Sequence, residues 1–170
     1  MKILHIITGL GAGGAEANLY RLCLSEKDNV HYVISLLGMG VYGPLLEKKG
    51  IKVFELKLDD SFIKIDVIIC LYKIIKKINP DVVQAWMYHA NFIGGIIAKI
   101  SGVKKICWGI HHSNIDQKKK KKTTLFLTKI SALFSYIIPT SIIYCADKSL
   151  SVHEGIGYNK KISKVIYNGF

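Results

Sequence analysis

Apolar runs of strand length alternate with amphipathic runs of helix length along the whole chain. Seven runs read as strands: "KILHIIT" from residue 2, "HYVISLLG" from 31, "IKVFELKL" from 51, "DVVQAW" from 81, "KKICWGI" from 104, "TSIIYCA" from 140 and "SKVIYNGF" from 163. The stretches between them carry helical patterns. In residues 15–26, Ala15, Leu19, Leu22 and Cys23 fall on one face. In residues 64–79, Ile65, Ile68, Tyr72, Ile75 and Ile78 make one stripe, while Asp66, Lys73, Lys76 and Lys77 point away.

Helix punctuation agrees with this division. Pro44 suits the first turn of a short helix that Gly50 ends, Pro80 stops the helix before it, and Gly102 and Gly157 close two later helices. Strictly alternating strands and helices predict an α/β fold, a three-layer, doubly wound, Rossmann-like parallel sheet. No internal repeat or linker interrupts the pattern, so the 170 residues read as one domain.

Composition changes this picture little. Half of the residues are hydrophobic and 21% are charged, which is a globular composition and excludes a disordered chain. The balance of 24 Lys and Arg against 12 Asp and Glu gives +12, which favours polyanionic neighbours without choosing among nucleic acid, anionic lipid and phosphorylated substrates. Nucleic acid rests on net charge alone and ranks last. Cys23, Cys70, Cys107 and Cys145 are far apart, form no CxxC pair and sit in apolar segments, so they read as buried free thiols of a reducing cytoplasm. The amino-terminal apolar run reaches glycines and an acidic helix, with no cleavage site of the signal-peptide kind, and reads as a first strand.

Four places could carry chemistry. "GLGAGGAE" follows the first strand and feeds a helix N-terminus, where free N–H groups and the helix dipole favour an anion. Gly9, Gly11, Gly13 and Gly14 do not make the full dinucleotide fingerprint, and no acidic residue ends the second strand, so a nicotinamide or flavin cofactor is disfavoured. A phosphate contact and a plain tight turn both remain open. His89 and Asn91 lie where the fourth strand runs into a helix, at the ligand-binding edge of open α/β sheets, and His89 could equally make only local hydrogen bonds. His111 and His112 end the fifth strand, and alternation lets only one of them face the cleft. Finally, Lys118, Lys119, Lys120, Lys121 and Lys122 precede an apolar helical stretch with Leu125 and Phe126, the arrangement of a helix lying on an anionic membrane surface. The bland reading is a core helix after a basic loop; a membrane span is excluded by length and by Lys129.

These segments together resemble a known family. The first strand leading to "GLGAGGAE", the His89 to Asn91 box, the strand-end histidine and the closing "CADKSLSVHEGIGYNKKISKVIYNGF" look like the N-terminal domain of family 4 glycosyltransferases, which have the GT-B fold. Ser149, Gly157, Tyr158, Val165, Ile166, Asn168 and Gly169 carry the closing series, with Tyr167 where the family usually has proline.

The resemblance implies a retaining transfer of a sugar from a nucleotide-sugar donor to a saccharide or lipid-linked acceptor, as in building a bacterial-type surface glycan. It implies no metal and no cofactor, since the nucleotide-sugar is a substrate. Residue by residue, Gly13 and Gly14 match the loop against the donor diphosphate, and Glu16, His89 and Asn91 fall on the acceptor side. His111 matches the catalytic strand-end histidine, with His112 as the fallback. Residues 1–167 correspond to the acceptor-side domain and 168–170 to the start of the crossing into a second, nucleotide-binding domain that the sequence does not contain. The 170 residues are therefore expected to lack activity alone and to lie in the cytoplasm, free or peripheral on the inner face of the membrane. The competing expectation is a non-catalytic module that docks to a membrane or to a partner chain.

Overall fold

The computed structural model describes residues 1–58, 65–111 and 122–168. In chain order the elements are β1 (Lys2–Ile7), α1 (Gly14–Ser25), β2 (Val30–Ser35), α2 (Tyr42–Lys48), β3 (Lys52–Glu55), α3 (Ile65–Ile78) and β4 (Val82–Trp86). A short α4 (Met87–His89) then passes through a π turn (Ala90–Gly94) into α5 (Gly95–Ile100), followed by β5 (Lys105–Ile110), α6 (Lys122–Phe134), β6 (Ser141–Tyr144), α7 (Asp147–Ile156) and β7 (Ser163–Val165). All strands are parallel in one sheet of order β3-β2-β1-β4-β5-β6-β7.

Two apolar clusters sandwich the sheet. Ile7, Val33 and Trp86 pack under α1 and α2 with Leu19 and Leu46. Leu4, Ile6, Val83, Ala85, Ile106 and Trp108 pack on the opposite face with residues of α3, α5 and α7's flank. The α/β, doubly wound reading therefore holds, and the chain order reverses direction between β1 and β4. Such a switch point opens a crevice at the carboxyl ends of the two strands. On the face opposite α1 and α2, close packing of the helix after β4 against the sheet depends on two glycines: a Cβ on Gly94 would stand 2.9 Å from Ile6 Cγ2, and one on Gly95 would stand 2.6 Å from Trp108 Nε1.

Two helices turn differently from their sequence patterns. In α3 the buried residues are Leu71, Ile75 and Ile78, whereas Ile65, Ile69 and Tyr72 are exposed, and so is Cys70. The buried centre of the helix lies opposite Asp66, Lys73 and Lys77, so Ile65 and Tyr72 fall at the margin of the apolar face and not at its middle. In α6 the inward positions are small and mostly polar, Thr128, Ser131 and Ala132, while Phe126 and Leu133 face out at 63% and 72% exposure. Among the described residues no helix is long and apolar enough to cross a membrane.

Candidate functional site

The glycine loop between β1 and α1 is held by the following crossover. Backbone bonds run from Leu36 N to Ile7 O, Leu37 N to Thr8 O and Tyr42 N to Leu10 O, each 2.9 Å. Gly40 makes this possible: its φ is +49°, and a Cβ there would lie 2.2 Å from Leu10 O. Gly13 caps α1 in an extended conformation with no side chain to bond the first turn. The first N–H groups of α1 therefore have no acceptor within the helix and face the crevice. Glu16 is the acidic group of that turn, and its carboxylate folds back against Gly13, where a Cβ would collide with it.

Across the crevice, β4 ends at Trp86 and turns sharply at Met87, which has φ +70°. A non-glycine residue in the left-handed region is strained and persists only where its surroundings hold it. Tyr88 supplies one anchor. Its hydroxyl donates to His153 Nε2 at 2.7 Å, and His153 Nδ1 donates to Ser149 O at 2.7 Å, all three side chains being buried. Tyr88 thus points into the core while Met87 stays at the cleft.

Gly13, Gly14, Ala15, Glu16, Met87, His111 and Asn168 line a cleft of about 350 Å3 at this edge. His111 and Asn168 also line an adjoining groove of about 380 Å3, with Asn18, Arg21 and Leu22 of α1 on one wall and Gln84, Trp86 and Gly109 on its floor. The fold therefore brings Gly13, Gly14, Glu16 and His111 to one place. His89 is half-buried and lines neither hollow. Asn91 is 1% exposed and faces inward, its Nδ2 donating to Gly109 O at 3.2 Å, so it ties the helix after β4 to the strand that delivers His111. His112 and Lys118 to Lys121 lie outside the described residues, as do the side chains of Lys122 and Leu125. Phe126 is on the outer surface of α6, away from the cleft lining.

Three residues that the motifs did not single out stand directly behind His111. Its ring stacks on Trp86, with centroids 5.0 Å apart and planes 13° apart. Trp86 Nε1 donates to His5 Nδ1 at 3.3 Å, and His5 Nε2 lies 3.0 Å from His31 Nδ1. His5 is completely buried. Burial, reinforced by His31, holds its pKa down to about 3, so the ring is neutral. Cys23 lies beside the pair, and burial pushes its thiol up to about 12. The available signal was His5 itself, a lone polar residue inside the apolar run "ILHII".

Chemically the cleft offers backbone donors at a helix N-terminus, bordered by the Glu16 carboxylate, and one imidazole at the same edge, a set suited to a group that carries negative charge with hydroxyls beside it. The fold is similar to that of Anabaena HepE solved in complex with UDP, with TM-score 0.82 and 22% identity over 100% of this chain and 44% of that one. It is also similar to the lipopolysaccharide outer core galactosyltransferase WaaB, with TM-score 0.70 and 17% identity over 100% of this chain and 46% of that one. A UDP-GlcNAc 2-epimerase from Methanocaldococcus jannaschii shares the fold as well, with TM-score 0.63 and 13% identity over 98% of this chain and 45% of that one. The chain thus spans less than half the length of these structures, and the fold alone does not separate transferases from epimerases. No curated protein sequence matches the chain. Residues 29–143, however, match the glycosyl transferase 4-like family, more than half of the sequence and including β4, β5 and the cleft-facing His111. On that match the chain belongs to the glycosyl transferase 4-like family.

Proposed function

We propose that this chain is the acceptor-side domain of a retaining glycosyltransferase, which moves a sugar from a nucleotide-sugar donor to a saccharide or lipid-linked acceptor of a surface glycan. The observation that carries the reading is the meeting of the α1 N-terminus and His111 in one cleft at the β1/β4 switch point. The donor diphosphate lies against Gly13 and Gly14, where preorganised N–H groups stabilise the charge that grows as the sugar leaves. His111 hydrogen-bonds the sugar or the acceptor, and Glu16 borders the acceptor, with His89 and Asn91 supporting that side. No metal or cofactor takes part, the nucleotide-sugar being a substrate.

A second, nucleotide-binding domain must close this cleft, because most of the rate in such a transfer comes from holding donor against acceptor. We expect residues 1–167 to form the acceptor-side unit and the chain to cross towards that domain from Asn168 onward. The test is transfer from a nucleotide-sugar by the 170 residues alone and by the same residues joined to a family C-terminal domain. Turnover only in the joined protein supports the reading; robust transfer by the 170 residues overturns it.

A second role is favoured by the rotation of α6. That helix packs through Thr128, Ser131 and Ala132 and presents Phe126 and Leu133 outward, Tyr136 and Ile137 are exposed just after it, and in sequence it follows the lysine run. We propose that this face rests on an anionic membrane at the inner side of the cell, with aromatic and aliphatic groups at the acyl boundary and lysines at head-group level. It would bring the cleft to a lipid-linked acceptor, and in a chain without transfer activity it would leave a membrane-docking module.

A further inference from the structure

The chain of contacts behind His111 has two fixed ends. An indole N–H can only donate and a carbonyl oxygen can only accept. At one end Trp86 Nε1 donates to His5 Nδ1 at 3.3 Å. At the other, His31 Nε2 lies 3.1 Å from Glu26 O, so it must be the protonated nitrogen of that ring. His31 Nδ1 is then bare and accepts, and His5 Nε2, 3.0 Å away, is the donor. Both ends demand the same tautomer of His5, with Nδ1 bare and Nε2 protonated. Every hydrogen of the chain is thereby assigned, in the order Trp86 to His5 to His31 to Glu26.

The chain crosses neighbouring strands on the α1 face of the sheet: His31 on β2, His5 on β1 and Trp86 on β4, with His111 just beyond β5. It lies buried, with His5, His31 and Trp86 at 0%, 7% and 3% exposure, and the His5 and His31 rings are stacked. An indole could rotate about its own χ angles in an apolar pocket; the hydrogen bond to His5 selects one orientation. The face so fixed is the one that His111 stacks on.

We infer that His5, His31 and Trp86 form a directional hydrogen-bond relay that sets the indole plane and, through it, the place of the His111 ring in the cleft. His5 and His31 are positioning residues; neither borders the cleft. Cys23 completes a group of three whose ligand atoms lie within 4.8 Å of one another, as in a metal site. The relay assigns His5 Nε2 a proton, however, and a protonated nitrogen does not bind a metal.

The inference rests on the proposed role of His111 for its purpose, and its test is independent of activity. A long-range 1H–15N spectrum of the wild-type chain reads ring tautomers directly. His5 and His31 should both be protonated at Nε2 and bare at Nδ1, and His111 ring protons should show the ring-current shift of an indole beneath them. His5→Phe, which keeps a ring but offers no acceptor, should speed exchange of the Trp86 indole N–H about tenfold or more and move the His111 protons. His5→Asn, whose Oδ1 stands in for Nδ1, should restore most of the protection. A proton on His5 Nδ1 would overturn the relay, and so would a folded His5→Phe variant with both signals unchanged. Cobalt(II) binding with a thiolate charge-transfer band would also overturn it, in favour of a metal site. If neither variant folds, the wild-type tautomers decide. If His111→Ala fails to slow transfer, the functional reading falls and the relay stands.

Discussion

The imidazole of His111 lies nearly parallel to the indole of Trp86, with centroids 5.0 Å apart and planes 13° apart. Trp86 belongs to the buried cluster under α1, so a cleft-lining ring is seated directly on the core. A group held in this way keeps its geometry as ligands come and go, which is what a hydrogen-bond donor to a reacting centre requires.

His111→Ala in the two-domain enzyme should therefore lower turnover more than acceptor binding. Loss of one preorganised donor costs about 100-fold in kcat, with a much smaller change in KM for the acceptor. Steady-state kinetics check this, and an unchanged kcat counts against a role in transfer.

Gly109→Ala probes the same seat while leaving the histidine in place. The new Cβ would lie 3.3 Å from Ala85 O and 3.4 Å from His111 Nε2. The closer neighbour is backbone, so β5 must give by a few tenths of an ångström, carrying the seat of the imidazole with it. The expected cost is about 1–2 kcal/mol of stability, with a change in the near-ultraviolet circular dichroism of Trp86. Denaturant unfolding together with that spectrum measures both.

Gly40→Ala should disturb the glycine loop from the crossover that braces it. Gly40 has φ +49°, and its Cβ would stand 2.2 Å from Leu10 O. Left-handed strain and the backbone clash together should cost about 2 kcal/mol or more. Urea midpoints read the loss, and a wild-type midpoint would mean the brace between the two loops is dispensable.

Acid should weaken the fold through His5. Its pKa is about 3 in the folded chain against an ordinary 6.5, burial being the larger cause and His31 the smaller. Below pH 6.5 the unfolded chain takes up a proton that the native one refuses. This contribution is thus intact above pH 6.5 and is lost as pH falls towards 3, at a slope approaching about 1.4 kcal/mol per pH unit. Urea unfolding at pH 7.5 and 5.0 should show a larger loss for wild type than for His5→Asn, and equal losses would contradict it.

The outer face of α6 can be tested on vesicles. Flotation with anionic lipid should retain the wild-type chain and lose Phe126→Ser/Leu133→Ser, as well as a variant with Lys118 to Lys122 neutralised. Each lysine near the surface is worth about 1 kcal/mol, so raised salt should weaken binding too. Equal flotation of all three chains would remove the membrane role and leave the transferase proposal in place.

Much of the fold was legible along the chain. Six of the seven strands fall within the apolar runs and β2 starts one residue before its run, at Val30; Gly157 ends α7 with φ +109°, and the "GG" of the loop stands at the start of α1. The rotation of α3 and α6 was harder to read. Ile65 and Tyr72 share a stripe with Ile75 on paper but are exposed, because the buried centre, Leu71, Ile75 and Ile78, lies opposite Asp66, Lys73 and Lys77 and leaves those two at its margin. The turn at Met87 and the π segment after it also lack a signal in residue type; a strained φ is held by packing such as the Tyr88–His153 bond, 65 residues apart in sequence.

By itself, then, the sequence determined what depends on neighbours along the chain: the alternation of strands and helices, the glycines where the backbone must turn or approach, and the parity that puts His111 on the opposite side from Ile110. Tertiary structure decided what depends on distant pairs. Which strand sits beside β1, that Asn91 turns inward to Gly109 while His111 reaches the cleft, and that His5, His31 and Trp86 meet beneath it are consequences of sheet order. The physical reason is that a hydrogen bond or a stacked ring is fixed by position and direction in space, whereas hydrophobic patterning records only which side of an element is buried.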